Sequence, residues 1–400
     1  MDEHAKAAAK AFSFHDAALM QNPVPFYDEI RGKCPVAHSD QLGGFYFVTT
    51  FVGAKRVYDD YKTFSSTDGT ALPKQPLPLY PIDLDPPEQT RLRKLLNPLF
   101  IRDAAASHAN DIQAVVDGLI DSFIADGEAE LQSQFIHPTL SGVVLPFLGV
   151  PMADLPMLSE KVDYLVRHRA DDAEGCAKIG VELGEYLLAL TERRRAETPR
   201  NDILQTLVDG EIGGRPLTEM EILGVLTLTL FGGLDTTSAA LTEAFLHLAR
   251  NPRDAERLRS DEALWRPALE EFVRYASPVQ GLRRTVTHEV ELEGQVLHAG
   301  DYVFAMNGAA NHDPSRFAEP SRIIIDRTMD GHLGYGAGAH ICLGQHFART
   351  LMEIVLKTFL IRIPDFTVPE DFVPEYAVGE SRVMKVLPVR FAPQPQAAKA

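Results

Sequence analysis

Apolar residues through the middle of the chain, from Ile101 to Arg250, recur at three- and four-residue spacing. The pattern predicts helices over Ile112–Ala125, Phe135–Phe147, Met157–Val166, Cys176–Arg195 and Asp202–Val208, with Pro151, Pro156 and Pro199 between them. Thr218–Arg250 is apolar almost all round, which predicts a long helix buried in the middle of the protein. Shorter helical patterns cover Val24–Lys33, ending at Cys34-Pro35, then Phe51–Asp60 and Ala263–Ala276. From Leu343 onward Phe347, Ala348, Leu351, Ile354, Val355, Leu356 and Phe359 predict another amphipathic helix.

Strand signals are fewer. Gly44–Thr50 is aromatic and β-branched, Val286–Leu292 alternates and turns at Gly294, and Tyr302–Ala305 resumes. Phe366–Phe391 has β-like stretches separated by Pro369, Pro374 and Gly379, which predicts a hairpin with Ala377 and Val378 near its tip. Between Phe64 and Leu84 four prolines, Pro73, Pro76, Pro78 and Pro81, forbid a long helix. The fold class is mainly α with a small β region. Residues 1–20 are expected to be a mobile tail ahead of the Val24–Lys33 helix, and 392–400 a disordered end.

Composition narrows this picture. Four hundred residues, 45% of them hydrophobic, suffice for a large core, and length alone would allow two or three domains. No linker, low-complexity tract or repeat divides the chain, so 1–400 is read as one domain. A formal net charge of −17 argues against a nucleic-acid partner. Three widely spaced cysteines give no disulfide framework and suit a reducing cytoplasm. The N-terminus lacks the apolar region of a signal peptide, and Ile222–Leu234 falls short of a membrane span, so no membrane partner is expected.

The candidate chemistry centres on Gly334–Arg349, GYGAGAHICLGQHFAR. Gly336, Gly338 and Gly344 surround Cys342, and glycine serves where the backbone needs positive φ or must lie against a flat ligand. Cys342 falls at a helix N-terminus, where the dipole and free N–H groups favour a thiolate, a soft metal ligand. A buried structural cysteine is one reading and a zinc site another. For zinc, Cys34 and Cys176 are remote and no CxxC spacing exists.

The run Tyr335-Gly336-Ala337-Gly338-Ala339-His340-Ile341-Cys342-Leu343-Gly344, followed by Ala348-Arg349, resembles the haem-binding signature of the cytochrome P450 superfamily, of the soluble bacterial, camphor- and terpenoid-hydroxylase type. Tyr335 departs from the phenylalanine usual there. The resemblance implies a triangular, mainly α prism with a long central helix, haem b as cofactor, and Cys342 as its metal ligand with Gly344 in the haem cradle. It extends to Asp85-Pro86-Pro87-Glu88-Gln89-Thr90-Arg91-Leu92-Arg93, a helix start with Asp85 as N-cap and Pro86 in the first turn, where Gln89 and Arg93 would contact a haem propionate. Arg284 and His340 match further propionate partners.

Within the central helix, Gly232-Gly233-Leu234-Asp235-Thr236-Thr237 is anomalous, because each glycine costs roughly 1 kcal/mol relative to alanine and a buried Asp is costly to desolvate. A kink with an internal Asp–Thr hydrogen bond is one reading. The run also resembles the family's acid–alcohol pair, which implies that Asp235 and Thr236 deliver protons to dioxygen. Glu271 and Arg274, three apart on a helix, resemble the family's Glu-x-x-Arg, with Arg322 as the expected third member of a structural trio. The resemblance further implies a monooxygenase using O2, with NAD(P)H electrons arriving through a ferredoxin and its reductase. That donor is expected to dock on a basic patch of Arg91, Lys94, Arg102 and Arg349. The substrate is expected to be a small hydrophobe of terpenoid type. A peroxygenase, a hydride-fed reductase or a haem sensor are the alternatives.

Overall fold

The computed structural model describes residues 3–377 and 379–394. Helices make up most of it, and several of their bounds follow directly from local chemistry. Val24–Lys33 is helical as its pattern requires. Thr218 caps the central helix, Glu219–Arg250, in a capping box: its Oγ1 accepts the Glu221 N–H at 3.2 Å while the Glu221 carboxylate accepts the Thr218 N–H at 2.8 Å. The central helix runs unbroken past Gly232-Gly233, and most of its apolar length is buried within the protein. It packs against the helices His137–Leu148 and Trp265–Ala276.

A five-stranded sheet flanks the helices, built from β1 (Val36–Ser39), β2 (Phe45–Val48), β3 (Phe64–Ser65), β4 (Leu282–Val286) and β5 (Tyr302–Ala305), in the order β1-β2-β5-β4-β3. β5 runs parallel to β2, pairing Val303 with Tyr46, and antiparallel to β4. Tyr376–Ala377 and Val383–Met384 form the expected hairpin near the C-terminus. Val378 lies outside the described residues.

One expectation changes at the N-terminal end. The stretch 1–20 is folded from residue 3 on, not a mobile tail: Glu3–Ala11 is a helix, and Ala5, Ala9, Phe12, Phe14 and Met20 are buried. Aromatic anchors supply the reason, since Phe12 stacks on Phe26 at 4.9 Å and Phe14 on Phe304 at 4.6 Å, fastening the segment to the sheet. Of the end expected to be disordered, Gln394 donates its N–H to Ile124 O at 3.0 Å, and 395–400 lie outside the described residues.

Asp85 does not cap the helix that follows it. That helix is Glu88–Phe100, and the Asp85 carboxylate instead accepts Ser65 Oγ at 2.6 Å and Ser66 N–H at 3.0 Å, tying the helix entry to β3. The structural trio is also recomposed. Arg274 binds Glu271 through two bonds of 2.7 and 2.8 Å, with both side chains fully buried. The third member is Arg327, whose Nε donates to Glu271 at 2.9 Å, whereas the Arg322 side chain pairs with Glu319 on the surface. Arg322 contributes only its carbonyl, which accepts from Arg274 at 3.1 Å and from Arg327 at 3.2 Å.

Candidate active site

The cysteine loop is fixed by backbone geometry before side chains enter. Gly336 and Gly338 have φ of +70° and +63°, in the left-handed region. A Cβ at Gly338 would stand 2.5 Å from the Tyr58 carbonyl, so glycine there lets the loop seat against the helix Phe51–Asp59. The Cys342 N–H donates to Tyr335 O at 2.8 Å, closing the loop and turning the sulfur toward the first amides of the cysteine helix, Gln345–Arg362.

Cys342 is half-buried. Burial pushes its thiol pKa up; the amides of Gly344 and Gln345 and the charges of Arg93 and Arg349 pull it down without overcoming burial. The amides and cations at the helix terminus offset part of that burial, and a bound metal cation would add to the stabilisation of a thiolate there. Gly344, at φ −80°, needs no special backbone, but a Cβ there would meet no atom of the chain. Its smallness leaves a cradle beside the sulfur.

Four of the expected residues converge on this loop. Gln89 Nε2 donates to Ala339 O at 2.5 Å and Arg93 Nη1 to Ile341 O at 2.8 Å, so both brace the loop backbone. His340 Nε2 lies 3.3 Å from Ser66 Oγ, and its pKa is held down to about 3 by burial and then by the nearby Arg284 and Arg93 charges. Arg284 is fully buried on β4; Nη1 donates to the Arg283 carbonyl, while Nε and Nη2 have no partner among the described residues. A buried guanidinium with two unfilled donors calls for an anion.

Asp235 and Thr236 do not bond to each other. Thr236 Oγ1 donates to Gly232 O at 2.6 Å. Gly232 is exposed and Thr236 half-buried in a helix otherwise sunk in the core, and a Cβ at Gly232 would meet nothing within 4 Å. These residues share the helix face that opens onto free space. Asp235, one residue earlier, turns to another side, where its Oδ2 meets Arg167 Nη2 at 3.2 Å and Ser381 Oγ at 3.4 Å. Burial raises its carboxyl pKa, Asp163 adds to the rise, and Arg167 and His137 oppose it. A cleft lined by His137, Asp163, Arg167, Asp235 and Lys385 leads to this carboxylate.

Sequence reasoning missed several supporting residues. Glu270 binds Arg349 Nε at 2.5 Å and His332 Nε2 at 3.0 Å. Burial pushes its pKa up, but these two partners outweigh it and hold the carboxyl at about 2. His332 Nδ1 accepts the Gly334 N–H at 3.0 Å, so Nε2 carries the proton that goes to Glu270. Arg349 stacks over the Tyr335 ring at 4.3 Å and is thus engaged inside the loop, leaving only Arg91, Lys94 and Arg102 exposed from the expected basic patch. The Tyr335 hydroxyl is buried without a partner among the described residues. Arg167 and Glu270 were legible only as helix residues, because their partners are distant in sequence.

The donor set fits a haem. The unfilled Arg284 donors suit a propionate, the Gly344 cradle leaves room for a flat ring, and the Cys342 sulfur, held among amides and cations, suits an iron. Fold and donor set together define a haem oxidoreductase. The chain belongs to the cytochrome P450 family, whose model matches residues 147–371. Enzymes of this family carry haem b and use O2 with NAD(P)H-derived electrons. A pentalenic acid synthase from Streptomyces avermitilis is 31% identical, over 94% of this chain and 96% of its own length. A steroid C26-monooxygenase from Mycolicibacterium smegmatis is also 31% identical, over 86% of each chain. Among solved structures, CYP108D1 from Novosphingobium aromaticivorans superposes with a TM-score of 0.88 at 26% identity, covering 98% of this chain and 99% of its own. CYP109E1 from Bacillus megaterium, in complex with testosterone, gives a TM-score of 0.85 at 28% identity, covering 94% and 99%.

Proposed function

We propose that Cys342 is the proximal iron ligand, that Arg284 and His340 receive the haem propionates with Gln89 and Arg93 bracing the loop beside them, and that Asp235 and Thr236 manage proton delivery in a cytoplasmic monooxygenase. The observation that carries this reading is the half-buried Cys342 sulfur facing the Gly344 and Gln345 amides, flanked by Arg93 and Arg349. When bound, haem supplies the oxidising chemistry. The chain supplies placement and protons.

Thr236 donates its own proton to Gly232 O, which leaves its oxygen lone pairs turned to the open face, able to accept a hydrogen bond from water. Asp235, with its pKa raised by burial, holds or yields a proton at Oδ2 according to whether Arg167 stays against it. Because the two side chains lie on different sides of the helix, a proton passes from Asp235 to Thr236 through water or by rotation of the carboxylate away from Arg167. Apolar walls exclude bulk water. Leu77 and Leu79 in the proline-rich loop are buried, and the Tyr80 ring packs against Gly224 of the central helix.

The substrate we infer is a small hydrophobe of terpenoid type, consistent with these apolar walls. Relatives named for a steroid and for a methyl-branched lipid are alternatives within the same class of chemistry. Electrons come from a ferredoxin with its reductase, docking near the exposed Arg91, Lys94 and Arg102. The test is a titration of the ferric enzyme with terpenoids, steroids, branched fatty acids and aromatic acids, following the Soret band. A low-spin to high-spin shift confined to terpenoids supports the assignment; a shift with steroids or lipids alone overturns it. Turnover without a ferredoxin would overturn the electron route.

A further inference from the structure

The two ends of the cysteine loop converge on a carboxylate that belongs to another helix. Glu270 lies on Trp265–Ala276 next to Glu271, but the two serve different partners: Glu271 closes the buried trio, and Glu270 binds the loop. At the start of the loop, His332 Nε2 donates to Glu270 Oε2 at 3.0 Å while Nδ1 accepts the Gly334 N–H at 3.0 Å. At its end, Arg349 grips the same carboxylate through Nε at 2.5 Å and Nη2 at 3.1 Å.

The remaining nitrogen, Arg349 Nη1, donates to Gln345 Oε1 at 2.9 Å in the first turn of the cysteine helix. Every nitrogen of this guanidinium is therefore engaged, and a bidentate fork fixes its plane as well as its place. It lies 4.3 Å over the ring of Tyr335, whose carbonyl accepts the Cys342 N–H. The side chains of Arg349, Glu270 and His332 are 26%, 22% and 2% exposed, so water screens their charges only in part.

Charge gives this clamp a role beyond bracing. Two guanidinium groups, Arg93 and Arg349, act on the Cys342 sulfur. Arg93 donates to the Ile341 carbonyl and has no carboxylate partner among the described residues. Arg349 has one, and that carboxylate stays ionised: burial pushes the Glu270 pKa up, but His332 and Arg349 hold it at about 2. The sulfur thus faces one compensated cation and one uncompensated. Reduction of a thiolate-bound iron adds a negative charge, which a fixed carboxylate opposes and a fixed guanidinium favours.

We propose that Glu270 is a positioning residue for the iron ligand: it holds Arg349 beside the Cys342 sulfur and offsets its charge there, so that this pair sets how readily the haem is reduced. The inference rests on the reading of Cys342 as that ligand.

The test is the ferric–ferrous midpoint potential of the haem-loaded enzyme, by spectroelectrochemistry without a redox partner, in the wild type, Glu270→Gln, Arg349→Gln and the double variant. The carbon monoxide Soret band of each reduced protein is recorded beside it. Glu270→Gln should raise the ferrous-to-ferric ratio severalfold at a fixed applied potential, Arg349→Gln should lower it severalfold, and the double variant should return close to the wild type. All four should keep the thiolate band. If Arg349→Gln does not hold haem, Arg349→Lys keeps the charge without the fork and should stay near the wild-type potential while Glu270→Gln still moves it. A clamp that only braces the loop predicts shifts of one sign, or loss of the thiolate band in both single variants, and either result would overturn the proposal. An unchanged potential in Glu270→Gln with the band retained overturns this inference alone; absence of the thiolate band in the wild type overturns the ligand assignment and this inference with it.

Discussion

Replacing Arg327 by alanine tests whether the buried trio has been assembled correctly. Glu271 is fully buried and accepts two bonds from Arg274, one from Arg327 Nε at 2.9 Å and one from the Ile324 N–H at 2.9 Å. Arg327→Ala removes one charge-assisted bond from a carboxylate that keeps its main partner, a loss of about 1.5–3 kcal/mol. Arg274→Ala takes the main partner from the buried carboxylate, leaving it only Arg327 and the Ile324 N–H, and costs about 3–5 kcal/mol. Arg322→Ala touches a side chain 68% exposed and paired with exposed Glu319, and stays within about 0.5 kcal/mol. With an unfolding entropy of roughly 2.1 cal/mol/K per residue, a chain of 400 residues loses about 1.2 °C of Tm per kcal/mol. Scanning calorimetry of the haem-loaded variants at one fixed rate should therefore show drops of about 4–6 °C for Arg274→Ala, about 2–4 °C for Arg327→Ala and under about 1 °C for Arg322→Ala. An Arg322→Ala drop equal to or larger than that of Arg327→Ala would refute the assignment.

Gly338→Ala forces a Cβ to within 2.5 Å of the Tyr58 carbonyl at a φ of +63°; the variant should load less haem, measured as the ratio of Soret to protein absorbance, and full loading would show that the loop has another way to seat. Gly232→Ala places its methyl in open space and gains up to about 1 kcal/mol of helix propensity, so Tm should hold or rise while the coupling of electron consumption to product falls; a loss of Tm would mean that this face is packed. His312 is buried with its Nδ1–H on Gly308 O at 2.9 Å, and burial followed by the Arg274 charge holds its pKa at about 3. Since the unfolded histidine titrates near ~6.5, its contribution is intact above that pH and is lost as pH falls toward 3, with a slope of up to ~1.4 kcal/mol per unit; urea unfolding across this window should be less steep for His312→Asn, and an unchanged slope would argue against a neutral buried histidine.

Much of the helical frame was legible because its signals are local. The Val24–Lys33 pattern, the Thr218–Glu221 box and the apolar run behind them each lie within a few residues, and the structure follows them. The cysteine loop was legible for a similar reason, its glycines and Cys342 standing in one short run. What escaped depends on partners far apart. Glu271 could as well have chosen Arg322 as Arg327 on spacing alone, and only the path of the chain after Pro320 turns the former outward. Asp85 looked like a helix cap until β3 arrived beside it to take its carboxylate. The alanine-rich N-terminus concealed two phenylalanines whose stacking partners are Phe26 and Phe304. Gln89 and Arg93 share a helix face as spacing requires, yet what they bond is loop backbone some 250 residues later, a distance that no periodicity encodes.

The claim on which the account rests is that Cys342, and neither Cys34 nor Cys176, ligates the haem iron. Cys34 donates its thiol to Val36 O at 2.8 Å and Cys176 is buried in a helix. The direct measurement is the absorption spectrum of the dithionite-reduced, carbon monoxide-treated protein for the wild type and for Cys34→Ser, Cys176→Ser and Cys342→Ser. The red-shifted Soret band of a thiolate-ligated carbonyl complex is expected in all but Cys342→Ser. Retention of that band in Cys342→Ser, or its loss in either of the other two with haem still bound, would contradict it.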